Sequence, residues 1–471
     1  MTRIAIVGGG ISGLAAAFEL EQRRNGGADV EYTLYESSPR LGGVLRTETV
    51  DGCVVEAGPD SFVTEKPWAA DLSREVGLGD QLIGSNDADR KTYILTHGRL
   101  VEMPDGLMFM VPTKILPTGL SPLFSWSTKL RMTQELFHPP RAVDRDESVA
   151  DFVTRHYGRE MVDRLADPLL SGVYGGDAAN LSVRAVLPRF AEMERTHGSL
   201  GRAMLAARKK MKMSSGQRQP APPLFTSIKN GMQSLTETVV SKLNASSLLT
   251  GAPVHAVQPE AGGWVVSAGM QSDHFDAVIV ALPGLAAANV LCIASRDLSA
   301  ELAAVQYSSS ITVGLGYDRQ VRETLPPGFG FLVPRSEGKR LLAATFVHNK
   351  FPHRAPEDRA LLRCFFAGSN AENVWSLSDD QIVDIVRNEL EQIIGLRAEP
   401  LFARVYKWKS AMAQYSVGHL DRLERIERLR RRLPGLALAG NAYRGIGVPD
   451  CVRSGRDAAA ELLKARGSSA A

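Results

Sequence analysis

Arg3-Ile4-Ala5-Ile6-Val7-Gly8-Gly9-Gly10-Ile11-Ser12-Gly13 opens the chain, and its reading decides the fold. Ile4 to Val7 has the length and composition of a buried parallel strand. Gly8, Gly10 and Gly13 keep a G-x-G-x-x-G spacing, and Leu14 to Leu20 continues as a helix whose first turn begins inside the loop. A tight turn needs glycine, and an anion held there must approach bare backbone. The helix N-terminus offers unpaired N–H groups and partial positive charge. A second strand, Val30 to Tyr35, runs into Glu36, about 20 residues beyond the glycines, where an acid accepts hydrogen bonds from a ribose. Strand, glycines, helix, strand and acid in that order point to dinucleotide binding; a structural loop in an unrelated α/β domain is the weaker reading.

Arg40-Leu41-Gly42-Gly43 follows at once, and its glycine pair lets the chain return close to the diphosphate. An NAD domain does not need this second pair. The arrangement resembles the fingerprint of FAD-binding proteins of the glutathione-reductase-like class, in particular the amine-oxidase-like branch. The expected cofactor is FAD.

The chain has 471 residues, enough for two or three domains with ample core, and is 44% hydrophobic and 23% charged, as an ordinary globular protein is. A formal net charge of +3 is too mild to make nucleic acid the main partner. Cys53, Cys292, Cys364 and Cys451 are too scattered for a zinc pattern, and isolated thiols of this kind point to a reducing, cytoplasmic setting. No secretory signal precedes the first strand, and no run of about 18 apolar residues marks a spanning helix.

Further along, strands are expected at Val44 to Glu48 and Cys53 to Glu56, a turn-rich loop over Glu56 to Phe62, and a helix that begins at Lys66-Pro67-Trp68, with Pro in its first turn, and runs to about Val76. A hairpin over Tyr93 to Val101 turns at His97-Gly98. Met103 to Pro140 is rich in large apolar residues, among them Phe109, Leu116, Leu120 and Trp126. It reads as a helical core or tunnel wall, and a membrane contact there would need an exposed apolar patch. Ser148 to Leu170 reads as two helices broken near Gly158, and Ser214 to Pro223 as a linker following the basic run Arg208 to Lys212. Strands at Leu248 to Val257, Gly263 to Ala268 and Phe275 to Leu282 precede a largely antiparallel second sheet with strands at Ile311 to Tyr317, Phe331 to Pro334, Leu341 to Val347 and Leu362 to Ala367. Asp379 to Ile394 is an amphipathic helix. Leu436 to Asn441 returns as a buried strand, and the loop Gly445 to Cys451 feeds a helix over Val452 to Lys464. That loop offers N–H groups to the pyrimidine edge of a flavin.

With Leu169-Leu170-Ser171-Gly172-Val173-Tyr174-Gly175-Gly176-Asp177, Gly231-Met232-Gln233-Ser234-Leu235, Gln414-Tyr415-Ser416-Val417-Gly418-His419 and Gly445-Ile446-Gly447-Val448-Pro449-Asp450-Cys451 added, the chain resembles, over its full length, the bacterial FAD-dependent porphyrinogen oxidases, the coproporphyrinogen III and protoporphyrinogen oxidases of haem biosynthesis. The resemblance implies an α/β fold: a Rossmann-like FAD-binding domain (1–60, 225–290, 430–471), an α+β substrate domain (61–102, 185–224, 291–429) and a helical domain (103–184) able to touch membrane. It implies removal of six hydrogens from a porphyrinogen in three two-electron steps, with dioxygen as acceptor and hydrogen peroxide released. It places the cofactor against Gly8, Gly10, Ile11, Ser12, Gly13, Glu36, Arg40, Gly42 and Gly43, then Gly58, Pro59 and Asp60. Val254 would meet the adenine, and Gly440, Gly447, Val448 and Pro449 the flavin. The porphyrinogen would meet Lys66 through a propionate, the loop residues Gly172 and Val173, and the apolar wall residues Leu332 and Phe365. No general base or metal ligand is implied. A homodimer and a location peripheral to the inner face of the cell membrane are compatible with the family.

Two positions depart from the pattern. Thr92 stands where mitochondrial-type enzymes carry an arginine, which leans towards the coproporphyrinogen-using branch, and Ala413 replaces a usual proline. The competing readings are an amine or carotenoid oxidoreductase on the same scaffold, and a flavin-binding partner protein without turnover.

Overall fold

The computed structural model describes residues 1–108, 110–112, 114–140, 145–214 and 222–467. Five parallel strands form one sheet in the order Leu248–Leu249, Val30–Tyr35, Thr2–Val7, Ala277–Val280, Leu436–Leu438. Both ends of the described chain and its middle thus share a single sheet. Alternation sorts the side chains of the first strand. Ile4 and Ile6 join Leu14, Val239 and Val452 on one face, whereas Ala5 and Val7 join Trp264, Leu291 and Leu298 on the other. The first face is covered by the helices Ile11–Asn25, Gln233–Ser241 and Val448–Gly467. The second is covered by a three-stranded antiparallel sheet (Val254–Glu260, Gly263–Ala268, Gln271–Phe275) and the helices Gly284–Leu291 and Arg296–Ala303. A strand buried on both faces must be apolar throughout, which is why Ile4 to Val7 shows no polar alternation.

A seven-stranded sheet runs Phe402–Gln414, Gln306–Asp318, Arg359–Ala367, Ala343–Phe346, Gly330–Leu332, Thr92–Thr96, Arg99–Glu102. It is antiparallel except where Gly330–Leu332 meets Thr92–Thr96. Leu362, Cys364 and Phe366 on one face bury Ile382, Val386 and Leu390 of the helix Asp379–Ile394, which starts at a capping box made by Ser378 and Gln381. The third region is helical and includes Trp126–Glu135, Val149–Tyr157, Asp167–Tyr174, Pro188–His197 and Leu200–Ser214.

Several expectations need correction. The stretch Leu248 to Val257 is two strands in two sheets, because Gly251 at φ +65 and Pro253 break it. Phe275 closes a polar strand, Gln271–Phe275, and the buried strand begins only at Ala277. The last helix starts at Val448, so Val448 and Pro449 form its first turn. The strand Phe402–Gln414 and the helix His419–Arg430 were not foreseen, since half-buried edge positions interleave charge with apolar residues. The break at Gly158 is present, with Ser148 capping the preceding helix through Asp151 N–H. The basic run 208–212 lies in the helix Leu200–Ser214; residues 215–221 of the expected linker, and Phe109, lie outside the described residues. The apolar segment after Met103 divides. Met110, Val111, Leu123 and Phe124 are core, whereas Leu116, Leu120, Trp126, Leu130 and Phe137 are exposed.

The helical region holds a buried charge cluster. His156 Nδ1 lies 3.1 Å from Glu135 Oε1, and its Nε2 lies 3.4 Å from Glu194 Oε1. Arg155 pairs with Glu147 and Glu194, and the His138 ring stacks on His156 at 4.4 Å. Burial alone would lower the His156 pKa, but the hydrogen bonds and charges of Glu135 and Glu194 outweigh it and raise the value. His138, pushed down by burial and by His156, stays neutral beside it. A raised folded-state pKa adds stability that is complete below the ordinary histidine value of about 6.5 and disappears as pH rises through the folded value. The melting temperature of the wild type relative to His156→Gln is therefore expected to fall as pH climbs above about 6.5. His156→Leu, which takes one hydrogen-bond donor from each of Glu135 and Glu194 but leaves them Ser199, the Leu200 and Gly201 N–H groups and Arg155, should cost roughly 1–3 kcal/mol in urea unfolding. A pH-independent difference between wild type and His156→Gln would remove the imidazolium from this account.

Candidate active site: a dinucleotide cradle beside an apolar wall

The glycine loop is built by close contact of bare backbone. A Cβ on Gly13 would stand 1.9 Å from the Gly8 carbonyl oxygen, and Gly8 itself sits at φ +110 against the Ala281 carbonyl. The second loop docks on the first, with Gly42 N–H donating to the Gly9 carbonyl at 2.8 Å. A Cβ on Gly43 would lie 3.2 Å from Gly10 Cα. Gly10 is different, because a Cβ there meets nothing within 4 Å. It is also the N-cap of the helix Ile11–Asn25, whose first turn has no side-chain cap and no acidic residue. Ile11 and Ser12 form that buried turn. The result is an open space walled by unpaired N–H groups at a helix N-terminus, as a diphosphate requires.

Glu36 stands at the rim of this space. Its carboxylate accepts from Gly9 N–H at 2.7 Å and Ser38 N–H at 2.8 Å. The segment before Val254 closes on the same rim, with Ala252 N–H donating to the Glu36 carbonyl at 2.8 Å and Gly251 N–H to that of Ser38 at 2.9 Å. Half-buried Val254 therefore follows directly on the segment pinned to Glu36 and Ser38. Arg40 is spent locally: its guanidinium donates to the carbonyls of Leu41 and Leu45 at 3.0 Å and to that of Gly43, which holds the second glycine pair in shape.

The loop Glu56 to Phe62 is locked by the basic side chains of Lys350, Arg354 and Arg363, which no motif in the sequence marks. Glu56 is buried and accepts from Arg354 at 2.6 Å, Met232 N–H at 2.7 Å and Thr47 Oγ1 at 2.7 Å. Burial pushes its carboxyl up against those three stabilising donors. Asp60 pairs with Lys350 at 3.0 Å and lies 3.7 Å from Arg363. Burial would raise the Asp60 pKa, yet Lys350 and Arg363 hold it far below the usual carboxylate range. The Asp60 carboxylate is thus an internal counter-ion, and the part of this loop left for a ligand is the backbone around half-buried Pro59. Gly58 packs against the Val44 carbonyl, 1.9 Å from its would-be Cβ, and its own carbonyl accepts from Arg363. A signal for Arg363 existed: a charged residue inside Leu361-Leu362-Arg363-Cys364-Phe365-Phe366, an otherwise apolar strand.

The expected wall residues share one face of the seven-stranded sheet. Register pairs Leu332 with Ala343 and Ala343 with Phe365, so the three side chains lie in one row. Arg363, two residues before Phe365 and on the same face, places its guanidinium 4.5 Å from the Phe365 ring and reaches Gly58. This face therefore looks towards the loop Glu56 to Phe62, and Leu332 and Phe365 remain half-buried on it. The helix Asp167–Tyr174 ends against the same sheet, where Gly175 approaches Ser308, Met412 and Ala367; Gly172 and Val173 are exposed on that helix. Lys66 is committed differently from the expectation. Its ammonium pairs with buried Asp450 at 2.6 Å, in the first turn of the last helix. Arg90 and Lys91 pair loosely with Asp87 and Glu102 at the surface. Gly440 donates to Ser454 Oγ at 3.1 Å, and the turn Gly447, Val448, Pro449 lies above it at the helix start.

A glycine cradle for a dinucleotide, set beside a half-buried apolar face, is the site of a flavoprotein oxidoreductase. The chain belongs to the flavin containing amine oxidoreductase family, whose model matches residues 11–463. It is 34% identical to the coproporphyrinogen III oxidase of Bacillus subtilis over 98% of this chain and 97% of that protein. It is 31% identical to the coproporphyrinogen III oxidase of Propionibacterium freudenreichii over 98% of this chain and 91% of that one. Among solved structures, one assigned as a protoporphyrinogen oxidase from Exiguobacterium sp. 255-15 matches with a TM-score of 0.87 and 30% identity, covering 98% of this chain and 99% of that chain. Cyclohexylamine oxidase from Brevibacterium oxydans shares the fold alone, at a TM-score of 0.69 and 18% identity, over 99% of both chains.

The cofactor is FAD. The open space at Gly10, the uncapped helix start and the acid at the rim fit its diphosphate and ribose. Because Gly10 already has extended backbone, φ −70 and ψ 177, and free space, Gly10→Ala should fold with an unchanged melting temperature in cofactor-free form. FAD affinity should drop at least about tenfold, one good anion contact. Gly13→Ala, facing a fixed carbonyl, should lose folded protein instead. Equal FAD affinity in Gly10→Ala and wild type would show that the diphosphate lies elsewhere.

Proposed function

We propose that this protein oxidises a porphyrinogen to the porphyrin in haem biosynthesis, with coproporphyrinogen III as the preferred substrate and dioxygen as the acceptor, releasing hydrogen peroxide. The observation that carries the reading is the apolar row Leu332–Ala343–Phe365 on a sheet face that Arg363 joins to the cofactor loop. It is supported by full-length relatives bearing the name coproporphyrinogen III oxidase. FAD, when bound, supplies the two-electron acceptor, and the protein contributes orientation and exclusion of water. Leu332 and Phe365 offer a flat, half-buried surface to a tetrapyrrole, with Gly172 and Val173 as the facing edge. Arg363 stiffens the Phe365 ring from below while its charge is balanced by Asp60. Thr92, in place of an arginine, takes away one cation that could meet a dicarboxylate substrate, while Arg90 and Lys91 beside it pair with Asp87 and Glu102.

Aerobic incubation of the FAD-loaded protein with each porphyrinogen tests the reading. Soret absorbance and peroxide should grow with coproporphyrinogen III and more slowly with protoporphyrinogen IX. No growth with either overturns the reading, and faster growth with the latter overturns the preference. Phe365→Ala should raise KM about tenfold, as loss of roughly 1.4 kcal/mol of ring contact would, with FAD affinity intact.

The exposed residues Leu116, Leu120, Trp126, Leu130 and Phe137 support a peripheral membrane contact. Trp126 and Phe137 are 80% and 81% exposed, and Lys129 lies over the Trp126 ring at 4.5 Å. Trp126 and Leu130 stand one helical turn apart on Trp126–Glu135, and Lys114, Lys129 and Arg131 neighbour the patch in sequence. Exposed apolar side chains with basic neighbours in sequence suit an anionic bilayer surface. Among the described residues no helix is long and apolar enough to cross a membrane. Sedimentation with phosphatidylglycerol vesicles should capture the wild type, and Trp126→Ser with Phe137→Ser should reduce capture severalfold. Equal capture of both proteins would remove the patch from this role.

A further inference from the structure

The segment Gln414–His419 has no part in the site as described, yet its side chains reach both halves of it. Tyr415 is buried, 2% exposed, and its phenol donates to the Asn441 carbonyl at 2.8 Å while accepting from Gly445 N–H at 2.9 Å. One hydroxyl thereby closes the backbone loop that leads into Gly447, Val448 and Pro449. His419 stacks on the Tyr415 ring at 4.1 Å and 12°, and its Nε2 lies 2.9 Å from the Tyr443 carbonyl, within the same loop. Tyr307 adds a fourth tie, donating to Asn441 Oδ1 at 3.1 Å. Gln414 reaches the other way. Its amide donates to the Tyr174 carbonyl and, at 2.9 Å, to Ser308 Oγ, and so fixes the end of the helix that carries Gly172 and Val173. The Tyr174 and Tyr415 rings lie 6.3 Å apart, linking the two ends of the strut.

We propose that Tyr415 is a positioning residue that holds the backbone of loop 441–447 in the shape the flavin ring requires, and that Gln414 couples this loop to the substrate-facing helix. The proposal rests on the reading that loop 440–449 meets FAD and that Gly172 and Val173 meet the macrocycle. Burial raises the pKa of the Tyr415 phenol, so it keeps its proton and remains a donor to Asn441 at any working pH. His419, lowered by burial, stays neutral in the stack.

Tyr415→Phe removes both hydrogen bonds and keeps the ring stack. Its dissociation constant for FAD, measured by quenching of flavin fluorescence, should rise about tenfold, and the visible absorption bands of bound flavin should shift. Gln414→Leu should show the opposite split, with KM raised and FAD affinity unchanged. Tyr307→Phe, which frees the Asn441 side chain and, away from the loop, the Gly284 N–H, should move FAD affinity in the same direction by less, and keeps the test decisive if Tyr415→Phe fails to fold. Tyr157→Phe is the control, since the Tyr157 hydroxyl lies buried in the helical core without a hydrogen bond and should leave both quantities unchanged. Wild-type FAD affinity and spectrum in Tyr415→Phe or, should that variant not fold, in Tyr307→Phe overturn the proposal. A wild type that binds FAD but turns over no porphyrinogen overturns the functional reading and leaves the Tyr415 result to stand by itself.

Discussion

Everything in this molecule depends on three stretches of backbone coming together with no side chain between them. The Gly8–Gly13 turn closes on itself, Gly42 and Gly43 settle on Gly9 and Gly10, and the last helix crosses the first where a Cβ on Gly455 would stand 2.0 Å from the Ser12 carbonyl. Such contacts tolerate no added atom when the opposing group is a carbonyl. They bring the N-terminal strand, the strand Ala277–Val280 and the C-terminal strand Leu436–Leu438 into one sheet, and place the first turns of two helices at one edge of it. An edge lined by helix N-termini attracts anions before any specific side chain acts.

Around that edge the protein uses buried charge sparingly and in closed circuits. Glu56 with Arg354, and Asp60 with Lys350 and Arg363, bind the loop Glu56 to Phe62 to the strand Arg359–Ala367 and to the segment just before it. Isolated, any one of these ions would be costly to bury; together they satisfy one another and fix where the loop stands. The Phe365 wall inherits its position from the same circuit, because Arg363 is hydrogen-bonded to Gly58 and packed on Phe365. Electrostatics at the loop Glu56 to Phe62 and the shape of the Phe365 face are therefore one structural problem.

How legible this was varies with the range of the interaction. The glycine spacing, Glu36 and the second glycine pair were readable because each is a local requirement, a turn or an anion approach, written within a few residues. The amphipathic helix Asp379–Ile394 with its Ser378 cap was readable for the same reason. Lys66 was read as a substrate contact from its place after Phe62, but its partner Asp450 lies at the other end of the chain, and no local pattern announces that pair. The strand Phe402–Gln414 escaped because an edge strand facing two environments shows neither clean alternation nor a continuous apolar run. Leu116 and Trp126 looked like core by composition, and only their position on the outer side of the helical region makes them surface.

By itself, then, the order of residues determined the cradle: its glycines, its acid, the apolar strands that must be buried, and through family resemblance the flavin. Those features depend on backbone sterics and period, which act over one or two turns of chain. Tertiary structure decided which charges neutralise which, that Leu332, Ala343 and Phe365 share a row, and that Tyr415 stands between two loops. Such matters depend on residues that are not chain neighbours, tens of positions apart for Tyr415 and Asn441 and hundreds for Lys66 and Asp450, and only the packed sheets bring them together.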